Sequence, residues 1–174
     1  ASGRCTLTTA MDPVMSQATL LDGIVVLDAT QVMAGPYCAM LLADMGARVI
    51  KVEPPDGDST RHMAGAKGDD SAAFNAVNRG KTGVVLDLAQ DKGRSVFKRL
   101  SRSADIVIEN YRPGVMEKLG LDYPSLRADN PRLIYASISG HGQTGPWANR
   151  GGFDLIAQGL SGLMSVTGTP TSGP

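Results

Sequence analysis

Only two cysteines, Cys5 and Cys38, occur in 174 residues, without metal-ligand spacing and too few for a disulfide framework. Net charge is missing as well, since 17 basic side chains offset 17 acidic ones. That balance excludes a bulk polyelectrolyte partner, so neither nucleic acid nor a polybasic membrane contact is expected. No apolar run approaches the roughly 18 to 20 residues that cross a bilayer. Heptads, low-complexity tracts and clear internal repeats are also absent. His62 and His141 stand too far in sequence from carboxylate or cysteine partners to argue a metal site. What remains is a chain 42% apolar, long enough to bury the core of one ordinary domain. Its 21 glycines exceed the roughly 7% usual in proteins but follow no collagen-like period. A soluble α/β protein is expected, cytoplasmic, or mitochondrial if the source is eukaryotic.

Residues 1–19 are small and polar with no apolar h-region, which argues against a secretory signal. They are expected to be a disordered leader or sequence upstream of Met11 or Met15, with a weak likeness to a transit peptide. Residues 20–174 form the folded unit. Ile24-Val25-Val26-Leu27 is a continuous apolar run, the mark of a strand buried on both faces. Gly35-Pro36 opens a helix with Pro at its first position. Tyr37, Met40, Leu41 and Met45 share a face of it, and Gly46 ends it. Val49–Glu53 is the next strand, stopped by Pro54-Pro55.

The β-α-β unit then repeats with variations. A polar excursion over residues 56–80 carries Asp58, Arg61 and His62. Strands are expected at 83–88, 105–109 and 133–138. Asp91 can cap a helix burying Val96, Phe97 and Leu100. Pro113-Gly114 marks a turn, short helices follow, and a loop with five glycines runs over residues 140–152. A last helix starts near Asp154, with Ile156, Leu160, Leu163 and Met164 on one face. Alternation of this kind implies a mainly parallel sheet with right-handed crossovers. The chain closes on loop composition at 168–174, which suggests truncation.

An open parallel sheet takes its ligands at the carboxyl ends of its strands. Four segments compete there: 29–36, 53–61, 110–114 and 139–154. The first lacks G-x-G-x-x-G, with Val32 and Met33 where a phosphate loop needs glycine. Glu53 stands where a dinucleotide fold keeps its ribose-binding acid, yet the glycine fingerprint is missing, and no ATP-binding P-loop exists. No serine nucleophile elbow is present. Cys38 suits a small packed thiol in an apolar helix. His141, in the glycine loop, could contact a substrate or be solvated. Asp154 could be a helix N-cap. Equally, the helix dipole favours its ionised form, and an ionised carboxylate can attack an electrophilic carbonyl.

Residues 27–37 (Leu-Asp-Ala-Thr-Gln-Val-Met-Ala-Gly-Pro-Tyr) and 42–53 resemble the opening of family III CoA-transferases, the carnitine dehydratase and bile-acid-inducible protein F type. Asn78-Arg79-Gly80-Lys81, the block 105–114, the block 135–146 and Gly152-Phe153-Asp154 match in order. The resemblance covers about residues 20–168. It implies an α/β, Rossmann-like large domain of which this chain is the N-terminal portion, in a protein about twice as long whose two chains interlock as a homodimer.

The resemblance also implies an activity: CoA moves from an acyl-CoA to a small carboxylic acid through a covalent intermediate on Asp154. CoA is then a substrate, and no tightly bound cofactor is expected. The implied CoA contacts are Val32, Asn78, Lys81, Asn110, Tyr111 and Lys118. Met33, Gly140, His141 and Gly142 fall in the implied substrate loops. Lys81 would meet phosphate charge and Tyr111 would offer a flat apolar face. Lys118 replaces an arginine common in some members, giving a point charge in place of a fork. Pro54-Pro55 replaces a basic pair that some members set against the adenine. Met33 stands where formyl-CoA:oxalate transferases carry a hydrogen-bonding glutamine, which disfavours oxalate and favours a dicarboxylate or longer acyl acceptor.

Two alternatives remain. A 2-methylacyl-CoA racemase needs a base and an acid across the α-carbon, and its histidine before the aspartate is Phe153 here. An isolated fragment that binds CoA without catalysis is the other.

Overall fold

Strand β1 (Val25–Ala29) occupies the middle of the structure because both its faces are apolar, with Val26 and Leu27 completely buried. In this computed structural model, which describes residues 19–63, 71–169 and 171–173, β2 (Arg48–Glu53) and β4 (Ile106–Glu109) flank it in parallel. The edges are β3 (Lys81–Val85) and β5 (Ile134–Ser137), also parallel. The order β3-β2-β1-β4-β5 is that of a doubly wound, Rossmann-like sheet whose strand order reverses beside β1. The chain is α/β as expected. The proposed leader lies outside the described residues, apart from Thr19.

Helices cover both faces. α1 (Ala34–Asp44) and α2 (Ala72–Asn78) are joined in chain order by α3 (Asp91–Ser101), α4 (Val115–Lys118), α5 (Tyr123–Arg127) and α6 (Asp154–Leu160). Side chains alternate across a strand, so β1 sends Leu27 and Ala29 into a core with Phe97, Met116 and Leu126. Val26 joins Val49, Ile108 and Ala39 on the α1 side. By the same alternation Asp28, Lys51 and Glu53 continue that α1-side face to the carboxyl end of the sheet. A face that is apolar at one end is charged at the other.

Several expectations are corrected. Pro36 is the third residue of α1, which begins at Ala34. Of the expected stripe only Met40 is buried, while Tyr37, Leu41 and Met45 face outward. Nearly every residue of α1 is apolar, so periodicity cannot select a face. Close approach selects it: a Cβ on Gly35 would fall 2.3 Å from the Thr30 Cβ, which turns Gly35, Pro36 and Ala39 inward. Strand β3 lies at 81–85, not 83–88, since its register follows β2, with Lys81 opposite Val49 and Val85 opposite Glu53. The excursion after β2 contains a 3-10 turn, Ser59–His62, capped by Asp58, and α2, capped by Ser71.

Asp154 is the first helical residue of α6; Phe153 holds the N-cap position, and no side chain caps the helix. The helix ends at Leu160 and a 3-10 turn, Leu163–Val166, follows. None of the residues in either element is buried.

Candidate functional site

The loop after β1 is held by charges from below. Lys51, 1% exposed, donates from Nζ to the Thr30 carbonyl at 2.9 Å and to Asp58 Oδ2 at 3.0 Å. The other oxygen of Asp58 accepts from the Thr60 N–H at 3.0 Å, the Thr60 hydroxyl at 2.8 Å and the Val32 N–H at 3.3 Å. Asp58 donates its own N–H to Glu53 Oε2 at 3.0 Å, and Arg61 grips both Glu53 oxygens at 2.7 and 2.8 Å. The Arg61 guanidinium stacks 3.6 Å from the centroid of Phe74. Burial pushes the Asp58 and Glu53 carboxyls up. Thr60 and Lys51 around the first, and Arg61, the Asp58 N–H and Lys51 around the second, outweigh it and hold both below their ordinary values.

A second buried cation stands beside the first. Lys81 donates to Asp28 Oδ2 at 2.8 Å, the Pro36 carbonyl at 2.8 Å and Asn78 Oδ1 at 2.9 Å. Burial pushes its ammonium below the ordinary lysine value despite the opposing pull of Asp28. The other Asp28 oxygen accepts from the Thr30 N–H and hydroxyl. Just past the end of β4, Asn110 clamps Gln31 with two bonds, Oδ1 accepting the Gln31 N–H at 2.9 Å and Nδ2 donating to its carbonyl at 2.7 Å. Tyr111, whose phenol is pushed up in pKa chiefly by burial against an opposing pull from Gln31, completes that side.

Gripped in this way, Val32 adopts φ +69°, the one left-handed non-glycine residue among those described. For a β-branched side chain that conformation is strained. It leaves Val32 and Met33 half exposed at the rim of the sheet.

The structure therefore gathers Val32, Met33, Asn78, Lys81, Asn110 and Tyr111 around one loop. Their roles divide. Val32 and Met33 face outward, while all three Lys81 donors and the Asn78 amide are taken up inside the protein. A phosphate could reach Lys81 only by displacing one of these acceptors. Glu53, the candidate ribose acid, is likewise fully engaged by Arg61 and the Asp58 N–H. Lys118 is exposed at the end of α4, where its charge complements the helix dipole.

The glycine loop has its own construction. Gly140 and Gly152 meet backbone to backbone, so a Cβ on either would fall 2.3 or 2.2 Å from the Cα of the other. Gly142 takes φ +79°. Inside the loop His141 meets Trp147 edge to face at 5.5 Å, and Arg150 lies 4.7 Å from the Trp147 centroid. The neck reaches the sheet beside Arg112, whose guanidinium lies 3.8 Å from a Cβ position on Gly151. Asp154 follows directly, exposed, accepting a hydrogen bond from Gln158 one turn along α6.

Asp28, Thr30, Gln31, Lys51 and Thr60 were not foreseen as site residues, nor were the supporting roles of Asp58 and Arg61. One signal was available: Lys51 interrupts the buried strand Val49–Val52, and a lysine in such a run demands a partner.

In a parallel doubly wound sheet the ligand crevice lies at the switch point, and here the loop after β1 stands there. The sequence profile of CoA-transferase family III matches residues 21–174, and the chain belongs to that family. The acetyl-CoA:oxalate CoA-transferase of Acetobacter aceti is 49% identical over 88% of this chain and 40% of its own length. The succinate–glutarate CoA-transferase of Agrobacterium fabrum shows the same identity and coverage. Among solved structures, a CAIB/BAIF family protein from Brucella suis superposes with a TM-score of 0.86 at 46% identity, covering 91% of this chain and 43% of its own. The chain thus spans about 40% of the length of the curated relatives it matches.

Proposed function

We propose that a protein carrying this chain at its relatives' length moves CoA from an acyl-CoA donor to a carboxylic acid acceptor, with Asp154 as covalent nucleophile. The observation that carries this reading is the family match over residues 21–174, within which Asp154 opens α6 directly behind the glycine neck.

The chemistry suits a carboxylate. Asp154 Oδ attacks the thioester carbonyl, the C–S bond breaks and CoA leaves as thiolate, giving an acyl-aspartyl anhydride. Thiolate returns to the aspartyl carbonyl and the donor acid departs, leaving an aspartyl-CoA thioester. The acceptor carboxylate displaces thiolate to form a second anhydride. Thiolate then opens that anhydride at the acceptor carbonyl, releasing the new acyl-CoA and the free carboxylate of Asp154. One hard transfer becomes a chain of easier ones.

CoA is held against the rim formed by Val32, Asn110 and Tyr111, with Lys118 toward its phosphates and Asn78 and Lys81 fixing the rim from beneath. His141, Gly140 and Gly142 bound the acyl side. Met33 carries a thioether that donates no hydrogen bond to an acceptor as short and polar as oxalate, which favours a longer dicarboxylate or acyl acceptor that reaches past it. An oxalate-named and a glutarate-named relative share one identity, so Met33, not overall likeness, carries that choice. Phe153 cannot abstract a proton, which counts against racemization. The active form is an interlocked homodimer; sedimentation as an active monomer would remove that element. The isolated 174-residue chain is inactive in this reading, since no residue of α6 is buried.

The test is trapping. With acyl-CoA present, hydroxylamine or borohydride should modify Asp154 alone in the full-length protein. An adduct at another residue, or acyl exchange with no trappable adduct, overturns the assignment.

A further inference from the structure

Asp58 and Lys51 present no surface of their own to a ligand, being 0% and 1% exposed, yet between them they hold both ends of the turn that does. Lys51 holds the Thr30 carbonyl where β1 ends, and Asp58 holds the Val32 N–H two residues on. The two side chains are themselves paired. Between those anchors the backbone takes the left-handed Val32 conformation, which a β-branched residue avoids unless its surroundings impose it. Desolvating such a pair is costly and often contributes little net stability. Its retention beneath a strained, outward-facing turn therefore suits a positioning task.

We infer that Asp58 and Lys51 are positioning residues: they impose the left-handed turn at Val32 and so set the backbone that the ligand meets. Thr60 assists by giving Asp58 Oδ1 two further donors, which fix the carboxylate's orientation. Asn110 fixes Gln31 independently from the opposite side. The turn is thus pinned from two strands that do not contact each other through side chains of this group. The identity of the ligand as CoA rests on the transferase reading above; the mechanical role does not.

The test is a double-substitution cycle in the full-length protein, with Asp58→Asn and Val32→Gly. Glycine takes φ +69° unaided, so the charge on Asp58 should matter only while Val32 is present. Asp58→Asn alone should raise KM for acyl-CoA about tenfold, the scale of a weakened hydrogen bond to a charged group, with kcat changed less than about threefold. In the Val32→Gly background the same change should raise KM by less than about twofold, a coupling that independent sites do not show. Equal effects in both backgrounds would show general structural support only and overturn the inference. A second measurement needs no substitution: the Val32 amide of the unsubstituted protein should exchange with solvent at least about tenfold slower than in a free peptide. Exchange at the free-peptide rate overturns the inference even if Asp58→Asn does not fold. An unsubstituted full-length protein that neither binds CoA nor exchanges acyl groups removes the transferase reading, and Val32 amide protection then decides the positioning role by itself.

Discussion

At the end of β1, residues 30–33 are fixed by buried charges from two strands and a capped turn, whereas the segment from Gly140 to Asp154 is fixed by two touching glycines and a few surface rings. The first region carries its geometry within itself, since Lys51 is paired with Asp58 and Lys81 with Asp28. The second presents its aspartate on a helix without a buried residue. The contrast teaches where rigidity resides in this fold. The rim proposed to meet the ligand's invariant portion is preorganised, which spares ordering cost on binding. The proposed reacting carboxylate stands on an element none of whose residues is buried.

The sharpest way to break the comparison is Asp154→Asn in the full-length protein. Acyl exchange should fall by about 10⁴-fold or more, as expected when a covalent nucleophile is lost. Stability should change by less than about 0.5 kcal/mol, the scale of a surface substitution, because the exposed side chain takes part in a single side-chain hydrogen bond, to Gln158, among the described residues. Normal turnover in the assay would dissolve the contrast.

The opposite pattern is expected from Lys81→Met. Removing one partner of the buried Lys81–Asp28 pair strands a carboxylate that is 0% exposed, at a cost of about 3–5 kcal/mol. Urea denaturation followed by circular dichroism measures it.

Acid should act on the first region. Asp58 and Glu53 have folded values below their unfolded ones of 3.8 and 4.5. The stability they contribute is therefore complete above those unfolded values and is lost as pH falls through the folded ones. The urea midpoint should drop on acidification below about pH 5, with a shallower drop in Asp58→Asn. An equal drop in both proteins would place the acid-sensitive groups elsewhere.

The smallest effects sharpen the picture. Val32→Gly should stabilise by up to about 1 kcal/mol, because relief of a left-handed β-branched residue outweighs the entropy cost of glycine. In the 174-residue chain, Leu155→Ser on α6 should change stability by less than about 0.5 kcal/mol in a thermal melt, since Leu155 is 69% exposed.

Much of the scaffold was legible beforehand. Apolar runs located β1, β2, β4 and β5, and Gly46 and Gly114 take the positive φ expected of a helix end and a turn. The register of β3 was not legible, because an edge strand with only partly buried residues has a weak pattern and is defined by its neighbour. The candidate site was legible where its members stand in motif blocks and illegible at the charges beneath them. Val32, Asn110 and Asp154 stand out in motif blocks, while Asp58 looked like one more polar residue of an excursion.

The sequence by itself determined the alternation of elements, the parallel sheet that alternation requires, and the placement of Asp154 behind a glycine loop. Those are local properties, set by side-chain period, turn glycines and chain order. Only the tertiary structure decided that Lys81 spends its charge on Asp28, 53 residues away, and not on a solvent-facing anion. It likewise decided that Lys51 reaches Asp58, and that α1 turns its small residues inward. Each of these depends on which strands lie side by side after the crossovers and how closely the backbones approach. Below the sheet's rim a buried charge must find whichever partner that packing brings within about 3 Å.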